Sequence, residues 1–414
     1  MDSGRTLGEA RLGVVDEIFL RGHRGWGNLV VMQGLWRCAD RIEPALLASV
    51  HDALAHGRLG RRVVRSRVPL ARPRFVPDAS TFPVEYRTVS DLTTWADEQA
   101  AHDVDPENGP GWRMSVARLE DGGTAVSLVC SHVIADARGL ASAIESALTG
   151  AEPVEMHQSA TSDVRDAMAL VGRVATRTLA AVVGLIRHPE RRHELRSRTP
   201  EASISSPEAC TRLIVELDAD DWRAAAERDG GTPNSLFISV IAELARTHPD
   251  DTVVVSVPMD MRSIPGIDNA VAMVEVEVAA QDSGGRVRDN SRAAYASPPM
   301  SSPAGFPDEL LQVVPDRAAH SLSSSAGERD ALCSNIGRLP EGVRTLGPHT
   351  AGSIATRAVH PGPLRTRSRI FAFFNEFDGS YTLALESTVD RSRDQLRRRT
   401  ADALNRKGLR PRSW

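Results

Sequence analysis

Apolar positions along the chain form two stretches that alternate between strand-like and helix-like spacing, with a helical, arginine-rich middle between them. In the first stretch, residues 13–20 and 28–36 carry short apolar runs that suit a strand or a short helix. Residues 44–56 place apolar side chains at helical spacing, and 61–67 mix valine with arginine as an exposed strand does. The runs 112–119 and 125–130 flank Glu120-Asp121-Gly122-Gly123, which predicts a hairpin because Asp-Gly supplies the backbone a tight turn needs. A helix is expected over 140–148.

The second stretch opens with a strand over 211–217, then a short helix through Arg228 for which Asp220 is the expected cap. Gly230-Gly231-Thr232-Pro233 leads into a helix over 234–246, whose Leu236, Ile238, Val240, Ile241 and Leu244 form an apolar stripe. The β-branched run 252–258 predicts a buried strand, and 271–278 ends by alternating Val with Glu. Residues 283–325, rich in Ser, Pro and Gly, are expected to loop over the surface. A second hairpin is predicted from 369–375 and 381–388 around Asp378-Gly379, and 390–406 predicts a charged terminal helix. No fixed-period repeat is present. This pattern divides the chain into 10–150, a helical linker or cover over 151–206, and 207–414.

Within the linker, 167–186 is the most apolar segment, but Arg173 and Arg177 interrupt it and leave only 178–186 uncharged. A spanning helix needs about 20 apolar residues, so an amphipathic helix without stable membrane insertion is expected. The N-terminus is polar and shows no secretion signal.

Composition narrows the chemistry. The chain has 414 residues, 50 basic against 54 acidic, and a net charge of −4, which gives no basic excess for nucleic acid. Hydrophobic and charged fractions of 41% and 25% are those of a soluble globular protein, long enough for two or three domains. Lys407, in the basic tail, is the single lysine. Schiff-base, P-loop and kinase mechanisms each need a lysine inside a folded site, so they are disfavoured. The arginine excess itself matches a GC-rich coding bias. Cys38, Cys130, Cys210 and Cys333 are scattered without a CxxC, so neither a zinc site nor a disulfide framework is indicated, and a cytoplasmic location is expected.

GxSxG, HExxH and a strand-to-helix GxGxxG are all missing. What remains is Ser131-His132-Val133-Ile134-Ala135-Asp136-Ala137-Arg138-Gly139, placed between a predicted strand and a predicted helix. His132 is the one histidine of 12 with an aspartate four residues on. Taken alone, that spacing fits a core histidine beside a carboxylate as well as a catalytic one. A third ligand at recognisable spacing is lacking, so no metal site is expected.

Four segments in order resemble the acyltransferase superfamily of chloramphenicol acetyltransferase, peptide-synthetase condensation domains, wax ester synthases and polyketide-associated acyltransferases. They are the hairpin with its SHVIADARG turn, GTPNSLFISVIAELAR, VPMDMR, and SNIGRLP at 334–340. The resemblance implies an α/β (α+β) fold of two similar subdomains in a V around a central tunnel. It implies His132 as general base, taking a proton from an acceptor hydroxyl or amine as that atom attacks an acyl thioester. An imidazole suits this work because its ordinary pKa lies near physiological pH. Asp136 would be mainly structural, with Arg262 as its partner. Ser334 and Asn335 are candidate oxyanion donors, Asn375 a further one, and Ser131 stands where the family's motif has its first histidine. Ala137 replaces the motif glycine, and FAFFNEFDG stands where a DFGWG-like motif would fall. The donor would be acyl-CoA or an acyl- or peptidyl-carrier protein, the acceptor a small molecule, and no cofactor is needed. The arginine-rich run 187–198 is the candidate surface for an acidic carrier. The alternatives are an amide-forming condensation enzyme acting on carrier-bound substrates, and a catalytically silent acyl- or carrier-binding member of the fold.

Overall fold

A computed structural model describes residues 11–150, 162–187, 209–261, 269, 271–297, 306–323 and 329–414. The first half runs α1 (Val14–His23), β1 (Val31–Cys38), α2 (Pro44–His56), β2 (Arg61–Val64), β3 (Arg74–Pro77), β4 (Glu85–Val89), α3 (Leu92–Ala100), β5 (Trp112–Leu119), β6 (Thr124–Ser131) and α4 (Ala137–Thr149). The middle contributes α5 (Asp163–Arg187). The second half runs β7 (Thr211–Asp218), α6 (Ala219–Arg228), α7 (Pro233–Ala245), β8 (Val253–Asp260), β9 (Val271–Val278), α8 (Gly284–Ala296), α9 (Leu310–Val313), α10 (Asp316–Ser323) and β10 (Ala331–Arg338). It closes with β11 (Thr345–Leu346), β12 (His349–Val359), β13 (Ile370–Phe377), β14 (Ser380–Ser387), α11 (Arg393–Arg406) and β15 (Arg412–Ser413).

Two sheets organise these elements. One has six strands in the order β11-β12-β1-β6-β5-β4, the other seven in the order β15-β7-β14-β13-β10-β8-β9, and β2 and β3 pair separately. Both predicted hairpins form. The second turns at Asp378 and Gly379, both with positive φ (45° and 76°), the backbone that matches the twist of paired strands. The first sheet packs on α2 and α4 through Trp36, Leu47, Leu140 and Ile144. The second packs on α6 and α7, with Trp222, Phe237 and Phe374 fully buried. Few aromatics are needed because Val, Leu, Ile and Ala fill both cores.

Three differences from the sequence reading have physical causes. Residues 283–325 are not a continuous loop: Ser283 caps α8 by accepting from Arg286 N, and α9 and α10 follow. The glycines that open α8 approach Asp229 and Gly230 so closely that a Cβ would crowd them, so tertiary packing holds the helix despite its weak propensity. Asp218, not Asp220, caps α6, because its carboxylate accepts from the backbone of both Asp220 and Asp221. The strand β12 lies within 207–414 in sequence but pairs with β1 in the first sheet, so the chain crosses over and returns.

Candidate active site

The crossover places the ends of three strands together. Val31 of β1 pairs with Ser131 of β6 on one side and with Val359 of β12 on the other. His132 and His360 therefore follow strands separated only by β1, about 10 Å across at two strand spacings.

His132 leaves β6 in a turn whose backbone is pinned from several directions. Its N–H donates to the Val30 carbonyl (3.2 Å), and Ile134 N donates back to the Ser131 carbonyl (2.9 Å). The amide of Asn269 donates to the His132 carbonyl (2.8 Å) and also to Asp16 of α1 (2.7 Å). Phe19 of α1 stacks on the imidazole at 3.7 Å between ring centres and 14° between planes. The ring is half-buried, and Nδ1 is enclosed without a hydrogen-bond partner among the described residues. Burial pushes the imidazole below its ordinary value, against the opposing pull of Asp136, its own backbone and Asn269, while nearby His360 adds to the lowering. The imidazole is therefore held neutral near pH 7, the form that can accept a proton.

Asp136 is buried and caps α4, accepting from Gly139 N at 2.8 Å. Arg61 donates to the Ile134 carbonyl (2.5 Å) while its guanidinium lies 3.8 Å over the Phe75 ring, which supports the turn from below. Ser131 has its hydroxyl 2.7 Å from His23 Nε2. Burial pushes His23 down to about 4, so it too is neutral. Arg138, at the start of α4, pairs with Asp260 at the end of β8 (2.9 Å). The segment from Asp260 to Asn269 thus touches the histidine turn at both of its ends. Arg262 lies between those contacts in sequence but outside the described residues, as does most of 187–198.

The remaining candidates separate. Ser334 and Asn335 lie on β10, where Asn335 donates to Asn234 (2.8 Å) and accepts from Gly337 N (2.9 Å) at an irregularity in the pairing with β13. Ser334 is half-buried and its hydroxyl takes no partner among the described residues. Asn375 is fully buried on β13, and its amide is committed to β12. It accepts from Thr356 N and Oγ1 (both 3.0 Å) and donates to the Ile354 carbonyl (3.0 Å). Its carboxamide oxygen and one amide N–H are committed to tying the two sheets together. A cavity of about 10 Å³ between α4 and the first sheet, lined by Gly34, Leu140 and Ile354, has room for no more than one water and belongs to the core. Among the described residues no three metal-ligating side chains come together.

A second charged cluster, His360–Glu386–Arg212, is absent from the sequence reading. His360 Nδ1 lies 2.5 Å from Glu386 Oε2, and Arg212 Nε donates to Glu386 Oε1 at 2.8 Å while its other arm meets the His360 carbonyl. All three are largely buried, and both partners hold the Glu386 carboxyl below its usual range against burial. The three residues sit on or just beyond β12, β14 and β7, so the cluster spans the two sheets. No sequence motif announces it, because 148 and 26 residues separate His360 from its two partners.

No family model matches the sequence, and no curated protein matches it either. Solved structures do. The nonribosomal peptide synthetase FmoA3, in its α-methyl-L-serine-AMP-bound form, matches at a TM-score of 0.59 and 15% identity over 98% of this chain, which spans 44% of that larger one. The first condensation domain of the CDA synthetase matches at 0.59 and 14% identity, covering 97% of this chain and 95% of that one. Polyketide synthase associated protein 5 from Mycobacterium tuberculosis matches at 0.58 and 13% identity, covering 96% and 98%. The chain has the chloramphenicol acetyltransferase-like, two-subdomain fold of condensation domains.

Proposed function

We propose that this protein is an acyltransferase that moves an acyl group from a thioester to a hydroxyl or amine acceptor. The observation that carries the reading is the neutral, backbone-anchored imidazole of His132 at the strand-to-helix turn of a condensation-type fold. With Nδ1 enclosed, Nε2 is the nitrogen left to accept the acceptor's proton as the oxygen or nitrogen bonds to the thioester carbonyl carbon. Collapse of the tetrahedral intermediate breaks the C–S bond, and the imidazolium returns its proton to the leaving thiolate. Ser334, whose hydroxyl takes no partner among the described residues, is the preferred one of the β10 pair to donate to the intermediate's oxyanion. Asp136 positions the histidine through the cap of α4, with Arg262 as its partner in that role. On this reading a tunnel between the subdomains, as the family resemblance implies, would admit donor and acceptor from opposite sides, and the work would be done in the cytoplasm.

The second reading is amide formation between carrier-bound substrates, favoured by the structural likeness to peptide-synthetase condensation domains. One experiment separates the two. Purified protein is incubated with a panel of acyl-CoA and acyl-carrier-protein thioesters plus small-molecule extract, and thiol release and product masses are followed. A new ester or amide of a small molecule, from either donor, supports the first reading; consumption of carrier-bound thioesters that leaves only carrier-bound amide products supports the second. No thioester consumption across both panels would overturn acyl transfer.

A further inference from the structure

The helix α5 carries two apolar faces, only one of which is covered among the described residues. Ala167, Leu170, Val174 and Ala181 are buried against the body. On the other side Val164, Met168, Val171, Ala175, Leu179, Val182 and Ile186 recur every three or four residues and stay exposed, Met168 at 69%, Leu179 at 65% and Ile186 at 64%. The stripe runs about 33 Å along the helix at 1.5 Å per residue. Isolated exposed leucines are ordinary on a protein surface, but a continuous stripe of this length is not.

The charges on α5 are sorted. Its two carboxylates turn inward: Asp163 bonds Arg11 (2.6 Å) and Ser66 (2.7 Å), and Asp166 bonds Arg72 (2.8 Å). Its exposed charges are Arg165, Arg173, Arg177 and Arg187, all positive; Arg177 pairs with Glu309 from α9. By length and composition residues 163–184 pass for a membrane span, with a mean hydropathy of 1.3. The inward ion pairs and the buried face instead hold the helix along the protein, where it offers its outer stripe sideways.

We propose that α5 docks the protein on an anionic lipid bilayer, lying in the plane of the interface with its apolar stripe among the acyl chains and its arginines at the phosphates. Apolar residues flanked by arginine without carboxylate are the composition such a surface selects. A second copy of this chain is the poorer occupant. Two α5 helices meeting stripe to stripe would bring Arg165 and Arg187 of each copy to the edges of the seam, with no exposed helix carboxylate to pair them. The proposal is independent of the acyltransferase reading, since its test reads binding alone.

The test is flotation of the full chain with vesicles of phosphatidylcholine mixed with phosphatidylglycerol, beside vesicles of phosphatidylcholine alone, with light scattering of the free protein. Wild type should float with the anionic vesicles and much less with the neutral ones, and about 0.5 M salt should weaken the binding. Met168→Glu with Leu179→Glu should abolish flotation. Arg165→Gln with Arg187→Gln, which leaves the stripe intact, should weaken it about 30-fold. Both variants alter exposed side chains and should melt with wild type; if the glutamate pair does not, the glutamine pair alone decides. Wild type that stays in the dense fraction overturns the proposal. So does equal binding to neutral vesicles, or a wild-type dimer that the glutamate pair converts to monomer without any vesicle binding.

Discussion

Replacing Asp136 tests whether its work is structural. Its carboxylate is 6% exposed and accepts from Gly139 N at the start of α4, so Asp136→Ala removes a helix cap and leaves a buried donor unpaired. A lost cap costs about 1 kcal/mol, and orphaned buried partners bring the total to about 2–4 kcal/mol. Spread over a 414-residue chain, the usual unfolding entropy per residue converts that to about 1 °C per kcal/mol, or a fall of about 2–4 °C in melting temperature. Asp136→Asn keeps an oxygen acceptor at the cap and should lose less than half as much. The assay is differential scanning calorimetry beside thiol release from an accepted acyl thioester. The alanine variant should lose activity and stability together, because the turn that aims His132 is anchored by that cap. An alanine variant that melts with wild type and yet has no turnover would refute the reasoning and give Asp136 a chemical role.

Three further outcomes follow from the site's geometry. The acid limb of the rate profile should lie below the ordinary histidine value of 6.5, since burial lowers His132 and only the neutral ring accepts a proton. Asp136 raises that value, so in Asp136→Asn the acid limb should move to still lower pH, read from kcat/KM against pH. The sign is the same for stability: an imidazole whose folded value is depressed stabilises the fold less as pH falls below 6.5, so acid should destabilise the protein through His132 and through His23, between 6.5 and about 4 for the latter. Glu386→Gln should cost about 3–5 kcal/mol by chemical denaturation, because it strips the carboxylate shared by His360 and buried Arg212.

What the sequence made legible is what local chemistry fixes. The β5–β6 hairpin shows in two apolar runs around Asp-Gly, and α7 in its stripe behind Thr232-Pro233, where Thr232 caps by accepting from Ser235 N. The His132–Asp136 turn was visible because motif, strand and helix are contiguous. The crossover of β12 was not, because its partner β1 lies more than 300 residues earlier and nothing in the strand's own pattern names it. The same non-locality hid the His360–Glu386–Arg212 cluster, and also Phe19 and Asn269, which reach His132 from more than 100 residues before and after it. Asn375 shows the converse case. A polar residue on a hairpin invites a chemical role, yet its register opposite β12 makes it a buried tie between sheets. The helix α8 was missed because glycine and serine signal loops locally, whereas here they permit close packing and capping.

The central claim is that His132 is the base for acyl transfer. The most direct measurement is the rate of thiol release by His132→Ala against wild type, on whichever acyl thioester the panel shows to be consumed. Positioned proton transfer contributes about 10²–10⁴-fold, so the variant should fall by at least about 100-fold while melting within a degree or two of wild type. Turnover that survives in a folded His132→Ala protein would contradict the account.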